Sequence, residues 1–215
     1  MQEQGVHMRA REKFLLGAIV VAVSVLAAPL PAAATVIFFD DFSANPIGVP
    51  AASLVNWSID RGTVDVVGTG SFASLCAGGP SPSRCVDLDG TGTSGAGKIS
   101  HVEPSLGSGQ YRISFYLQAN DRGYAPDSVT VTFGPYSEVF TLPSLGNNLD
   151  SWLFFSRDVS YAGPPGLTLT FDHAGGDNVG ILLDNVTIEA VPEPATLLLL
   201  GSGLTGLALR RRRRG

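Results

Sequence analysis

From residue 35 to residue 190 apolar and polar residues alternate in short runs, and no stretch repeats its apolar positions at helical spacing over three turns. Tyr111, Ile113, Phe115 and Leu117 share one face, with Arg112, Ser114, Tyr116 and Gln118 on the other. Val129, Val131 and Phe133 repeat the pattern, as do Leu167, Leu169 and Phe171. Near the end, Leu182, Asp184, Val186 and Ile188 oppose Ile181, Leu183, Asn185 and Thr187. A period of two is that of a half-buried strand. Further strands are predicted at 36–39, 54–59, 63–67, 85–88, 99–102, 138–142 and 152–159. Ten or eleven short strands separated by Gly, Pro, Asn and Asp predict an all-β antiparallel sandwich or barrel. No internal repeat and no domain boundary is visible inside 35–190, a length that buries roughly 70% of the unfolded surface in one core.

Both ends break the pattern. From Met8 the chain reads MRAREKFLLGAIVVAVSVLAAPLPAAATV: three cations, an apolar run from Phe14 to Ala28, then Ala32-Ala33-Ala34. That is the layout of a secretory signal over residues 1–34, with cutting expected after Ala34 and Met8 competing with Met1 as the start. The apolar run is about 22 Å long at ~1.5 Å per residue, short of a ~30 Å bilayer core, so a permanent anchor is the weaker reading. Residues 191–215 begin Val191-Pro192-Glu193-Pro194-Ala195, continue as an apolar segment from Thr196 to Leu209, and close on Arg210, Arg211, Arg212, Arg213, Arg214 and a Gly. A short hydrophobic helix stopped by such a cationic block leaves the block in the cytoplasm and the preceding domain outside.

This tail resembles the PEP-CTERM sorting domain. The resemblance rests on Pro192, Glu193 and Pro194, the apolar stretch and the five arginines, in that order at the chain's end. It implies export across the inner membrane of a Gram-negative bacterium, transient contact with that membrane, and cleavage near the Pro-Glu-Pro by an exosortase. It also implies an association with exopolysaccharide and biofilm.

Charge narrows the function further. Only six of the 14 basic residues, but sixteen of the 19 acidic ones, fall between 35 and 190, a net of −10. A domain that acidic is no phosphate-tracking nucleic-acid binder. In an exported chain the two cysteines, Cys76 and Cys85, are expected to form a disulfide around a ten-residue loop.

The middle of the chain also carries a family likeness. Phe39-Asp40-Asp41-Phe42, a Trp57 strand, Val86-Asp87-Leu88-Asp89-Gly90, the strands at 109–115 and 167–171, and Leu183-Asp184-Asn185-Val186-Thr187 follow in order. Together they resemble the galactose-binding-like jelly rolls of exported choice-of-anchor proteins and plant cell-wall proteins, and the carbohydrate-binding modules of polysaccharidases. The resemblance implies a two-sheet jelly roll and contact with glycans. It further implies a structural calcium between the N-terminal segment and the last strand, pairing Asp184 with Asp41 or Asp40. Asp184 is in any case an odd carboxylate in a strand of Leu, Val and Ile, and calcium needs six to eight oxygens, so backbone carbonyls would have to help.

Sugar binding uses flat aromatic faces with amide and carboxylate hydrogen bonds. The candidates are Tyr116, on the polar face of its strand, with Tyr124, Tyr136 and Tyr161 in Gly/Pro-rich loops; Trp57 and Trp152 belong in the core. Two lookalikes fail. Gly92–Lys98 nearly spells a P-loop, but Ile99 stands where Ser or Thr must hold magnesium, and a strand follows instead of a helix. Asp87, Asp89 and Thr91 open like an EF-hand loop, yet Lys98 occupies the position of the bidentate Glu. His101 and His173 are the only histidines left after signal removal, no nucleophile elbow or zinc-protease motif occurs, and no catalytic residue is expected. The expectation is an exported, non-catalytic jelly roll associated with extracellular polysaccharide. The alternatives are a structural or adhesive matrix protein binding other proteins, and a polysaccharide-degrading enzyme.

Overall fold

The computed structural model describes residues 33–81, 83–92, 94–119, 126–142, 152–192 and 211–212. The chain divides into two units, Ala34–Pro192 and a second made of Met1–Ala33 with Glu193–Gly215. Residues 1–32 of the expected 1–34 signal, Tyr124, Glu193, Pro194, the apolar segment of the tail, Arg210, Arg213 and Arg214 lie outside the described residues. Among the described residues no helix is long and apolar enough to cross a membrane.

The unit Ala34–Pro192 is an all-β jelly roll. Its strands are β1 (Thr35–Asp40), β2 (Ser58–Arg61), β3 (Asp65–Gly68), β4 (Arg84–Asp87), β5 (Lys98–Glu103), β6 (Gly109–Gln118), β7 (Asp127–Phe133), β8 (Tyr136–Leu142), β9 (Leu153–Tyr161), β10 (Leu167–Ala174) and β11 (Leu182–Ala190). They form two antiparallel sheets. One runs β3-β4-β11-β6-β9 with β1 also on β11, and the other runs β2-β5-β10-β7-β8. The alternation read from the sequence marks the inner faces. Ile113, Phe115 and Leu117 of β6 are fully buried with Val129, Val131 and Phe133 of β7 and Leu169 and Phe171 of β10. Phe115 meets Phe171 edge to face at 5.1 Å, joining the two sheets. Trp57 packs 5.8 Å from Phe171, and its indole N–H donates to Asp40 at 3.0 Å.

Two departures from the sequence reading have local causes. Residues 54–57 are not strand: Leu54 bridges Trp57 and Asn56 sits in the left-handed region at φ 66°, so β2 begins only at Ser58. In β11 the alternation breaks at Asn185, whose φ is 46°, and a bulge re-phases the strand. Leu183, Val186 and Ile188 therefore face the main core together, whereas strict alternation would have put Leu183 on the opposite face. The bulge also marks a handover, because β4 pairs with β11 at Leu182 and Leu183 and β1 pairs from Val186 to Ala190.

Cys76 and Cys85 form the disulfide. The bridge belongs to a satellite cluster with Val67, Leu75 and Leu182, on which Trp152 packs partly exposed. Trp152 thus leaves the main core, and it lies so close to Gly79 that a β-carbon there would stand 2.9 Å from the indole. Replacing both cysteines by serine should cost about 2.5 kcal/mol on the loop-entropy estimate, lowering the melting temperature by roughly 5–10 °C. Far-UV circular dichroism should keep its sheet signal, because the bridge lies outside the main core.

Candidate functional site

Burying every second side chain of a strand leaves the others outside, and register sorts them into rows. On the outer face of the six-stranded sheet, Phe154, Tyr116 and Asp184 are cross-strand neighbours. The next row holds Ser156, Ser114, Thr187 and Phe39. The third holds Asp158, Arg112, Glu189 and Val36. The Tyr116 and Phe154 rings lie 5.0 Å apart at 49°. Phe154 is 58% exposed and Phe39 52%, unusual for aromatics with a core available.

A cleft of about 430 Å³ opens on this face, lined by Arg112, Ser114, Phe154, Ser156, Asp158 and Glu189. Arg112 grips Asp158 with two bonds, Nε to Oδ1 at 2.7 Å and Nη2 to Oδ2 at 3.2 Å. Those bonds, with the negative charges of Asp158 and Glu189, raise the guanidinium pKa above its ordinary value. The result is an exposed aromatic ring with a second ring tilted against it, beside three hydroxyls and a fixed charged fork. Sugars, with apolar C–H faces and hydroxyl rims, match that combination.

The four predicted tyrosines do not share this face. Tyr116 is on it. Tyr136 packs against the core with its hydroxyl donating to Glu138 at 2.7 Å, and burial raises its pKa. Tyr161 also packs on the core, its hydroxyl donating to the Pro164 carbonyl at 3.0 Å. Tyr124 lies outside the described residues. Phe154 and Phe39 were missed as site residues, although each belongs to a Phe-Phe pair. Strand alternation sends one ring of such a pair inward, Phe155 or Phe38, and the other out.

Asp184 is fully buried, because the loop between β3 and β4 covers its end of the face. Its Oδ2 accepts the Ser81 N–H at 2.9 Å and its Oδ1 the Asn185 N–H at 2.7 Å. Burial pushes its pKa up to about 7 against those two bonds, and the nearby charges of Asp41 and Asp40 add to the rise. Asp40 accepts from Phe42 N and the Trp57 indole, Asp41 from Ser43, and among the described residues no three acidic, His or Cys side chains could hold a metal ion. A calcium on Asp184 with Asp41 or Asp40 would need backbone carbonyls for the rest of its oxygens. Each carboxylate serves its own turn, and a proton can neutralise the buried one.

The Asp87-Asp89 motif is likewise structural. Asp87 accepts the N–H groups of Asp89 and Gly180 at 3.0 Å each, and Asp89 accepts those of Gly176 and Asp177, stapling two loops together. His173 is buried and its pKa lowered to about 4, mainly by desolvation, so it is neutral; its Nε2 accepts the Ile181 N–H at 3.1 Å. Gly97 hydrogen-bonds Leu88 and leads into β5, not into a helix.

The last sheet bond of the domain runs from Val191 N–H to the Gln110 carbonyl at 2.9 Å, one residue before Pro192. Residues 190–213 match the PEP-CTERM protein-sorting motif. The chain carries a PEP-CTERM sorting signal. The signal indicates an exported protein, anchored or processed at the cell envelope, and the motif implies exosortase processing. Of the arginines, Arg211 and Arg212 are described, both exposed. No curated protein sequence matches this chain.

Its fold is similar to that of the CBM22-1 xylan-binding domain of Paenibacillus barcinonensis Xyn10C. The TM-score is 0.50 at 16% identity, over 75% of this chain and 98% of that one. The tandem CBM22-1-CBM22-2 structure from the same protein gives 0.50 at 17% identity, over 78% and 50%. The K1 cleaved adhesin domain of Lys-gingipain from Porphyromonas gingivalis W83 gives 0.48 at 17% identity, over 71% and 97%. At these identities the likeness establishes the jelly-roll fold and leaves function to the site.

Because native Asp184 holds its proton more tightly than an unfolded Asp, its contribution to stability is full near pH 4 and lost as pH rises through 7. Asp184→Asn should therefore gain on wild type by at least roughly 5 °C in melting temperature between pH 5 and pH 8. His173 titrates with the opposite sign in both proteins and cancels. A constant difference across that range would show that Asp184 keeps an ordinary pKa.

Proposed function

We propose that the exported domain is a non-catalytic glycan-binding module of the extracellular matrix, with its ligand lying across the outer face of the six-stranded sheet. The observation that carries this reading is the exposed Phe154 ring beside the Arg112 cleft, with half-buried Tyr116 tilted against it. A sugar ring stacks its C–H face on Phe154 while its hydroxyls reach Ser114, Ser156 and Glu189. Glu189 and Asp158 make this cleft acidic on balance, which suits neutral sugars. A xylan-binding domain of similar fold supports the ligand class.

The non-catalytic part of the reading is supported by Arg112, which stands between Glu189 and Asp158 on neighbouring strands and holds Asp158 with two hydrogen bonds. Binding is also what the matrix role needs, since the sorting signal delivers the domain to the cell envelope.

Affinity electrophoresis through gels containing xylan or other neutral polysaccharides tests the site. Phe154→Ala should weaken retardation at least tenfold, and Tyr116→Ala less, both with unchanged melting temperature. Retention by no neutral glycan, with capture of matrix proteins through the same aromatic face, would replace this reading with an adhesive one. Intact-mass analysis of the extracellular protein should place its C-terminus between Pro192 and Ala195. An end at Gly215 would mean that the signal is not processed.

A further inference from the structure

The opposite face of the jelly roll has a different chemistry. On the outer side of the five-stranded sheet, register sets Ser58, Ser100, Thr170, Thr132 and Ser137 side by side across all five strands. At ~4.8 Å between strands the row is about 19 Å long. Threonine on a solvent face is what strand formation favours, so hydroxyls alone mark no site. The adjoining row does. It holds Arg61, Lys98, Asp172, Thr130 and Val139, with a bulge after Ile59 setting Arg61 opposite Lys98.

A cleft of about 650 Å³ lies there, lined by Arg61, Thr130, Asp172 and His173 with small residues around them; Lys98 is not part of the lining and stands beside it, its Nζ 3.8 Å from Asp172. Arg112 and Arg157 each face a carboxylate with two hydrogen bonds. Arg61 and Lys98, by contrast, share Asp172. Arg61 bonds Asp172 directly and also donates to the His173 carbonyl at 3.2 Å, so its guanidinium is held in place. Lys98 Nζ stands 3.8 Å from Asp172, too far for a hydrogen bond, and its three donors remain for a ligand. His173 beneath them is neutral and adds no charge.

We propose that this cleft is a second glycan site, which binds the carboxylate of an acidic polysaccharide such as a polyuronate. The carboxylate bridges Lys98 and the free edge of Arg61, and the sugar chain runs along the hydroxyl row. The site is independent of the aromatic face, because it lies on the other sheet.

The test is affinity electrophoresis of the full chain in polygalacturonate, in its fully methyl-esterified form and in dextran sulfate. Retardation should be at least tenfold stronger in the acid than in the ester or the sulfate. Lys98→Gln and Arg61→Ala should each reduce it at least tenfold, and Lys98→Glu should abolish it, with melting temperatures unchanged. Phe154→Ala should leave it intact, which separates failure of this site from failure of the aromatic one. Equal retardation by acid and ester would overturn the proposal. So would wild-type behaviour of Lys98→Gln, or stronger binding of dextran sulfate, the mark of plain ion exchange.

Discussion

The edge-to-face contact of Phe115 with Phe171, 5.1 Å apart between the two sheets, is the constraint on which the rest of this molecule depends. Phe140 and Phe155 crowd the same Phe115 ring, and Trp57 leans on Phe171. Each such buried aromatic contributes about 3–5 kcal/mol when judged by its truncation. Locking the inner faces together commits every odd or even position along each strand. The remaining side chains have no choice but to face solvent or a covering loop, and that is where two sheets of one domain acquire unlike surfaces. One offers exposed rings and surplus carboxylate. The other offers hydroxyls and two cations that share one carboxylate.

Backbone pairing continues to Val191 and then meets Pro192, which has no N–H to extend the sheet. At the other end of β11 the disulfide and its satellite cluster hold the loop between β3 and β4 over Leu182 and Asp184. That loop turns an outward carboxylate into a buried one and so creates the raised pKa.

Much of this was legible in the chain itself. Alternation at 111–118, 129–133 and 167–171 located the central strands and their inner faces, because a half-buried sheet allows only that period. The Pro-Glu-Pro, apolar run and arginines named the export route. Less legible was anything depending on a partner strand. Phe154 reads as one more core residue until β9 is registered against β6, and Tyr136 and Tyr161 read as exposed until their hydroxyls find Glu138 and Pro164.

By itself, then, the amino-acid order determined the fold class, the disulfide, the destination and which residues alternate, since all of these are local or periodic properties. Tertiary structure alone decided which outward side chains become neighbours. The bulge at Asn185 and the sharing of Asp172 by Arg61 and Lys98 arise from register between strands far apart in the chain. Register is set by the packing of whole sheets, and no short window of sequence carries it.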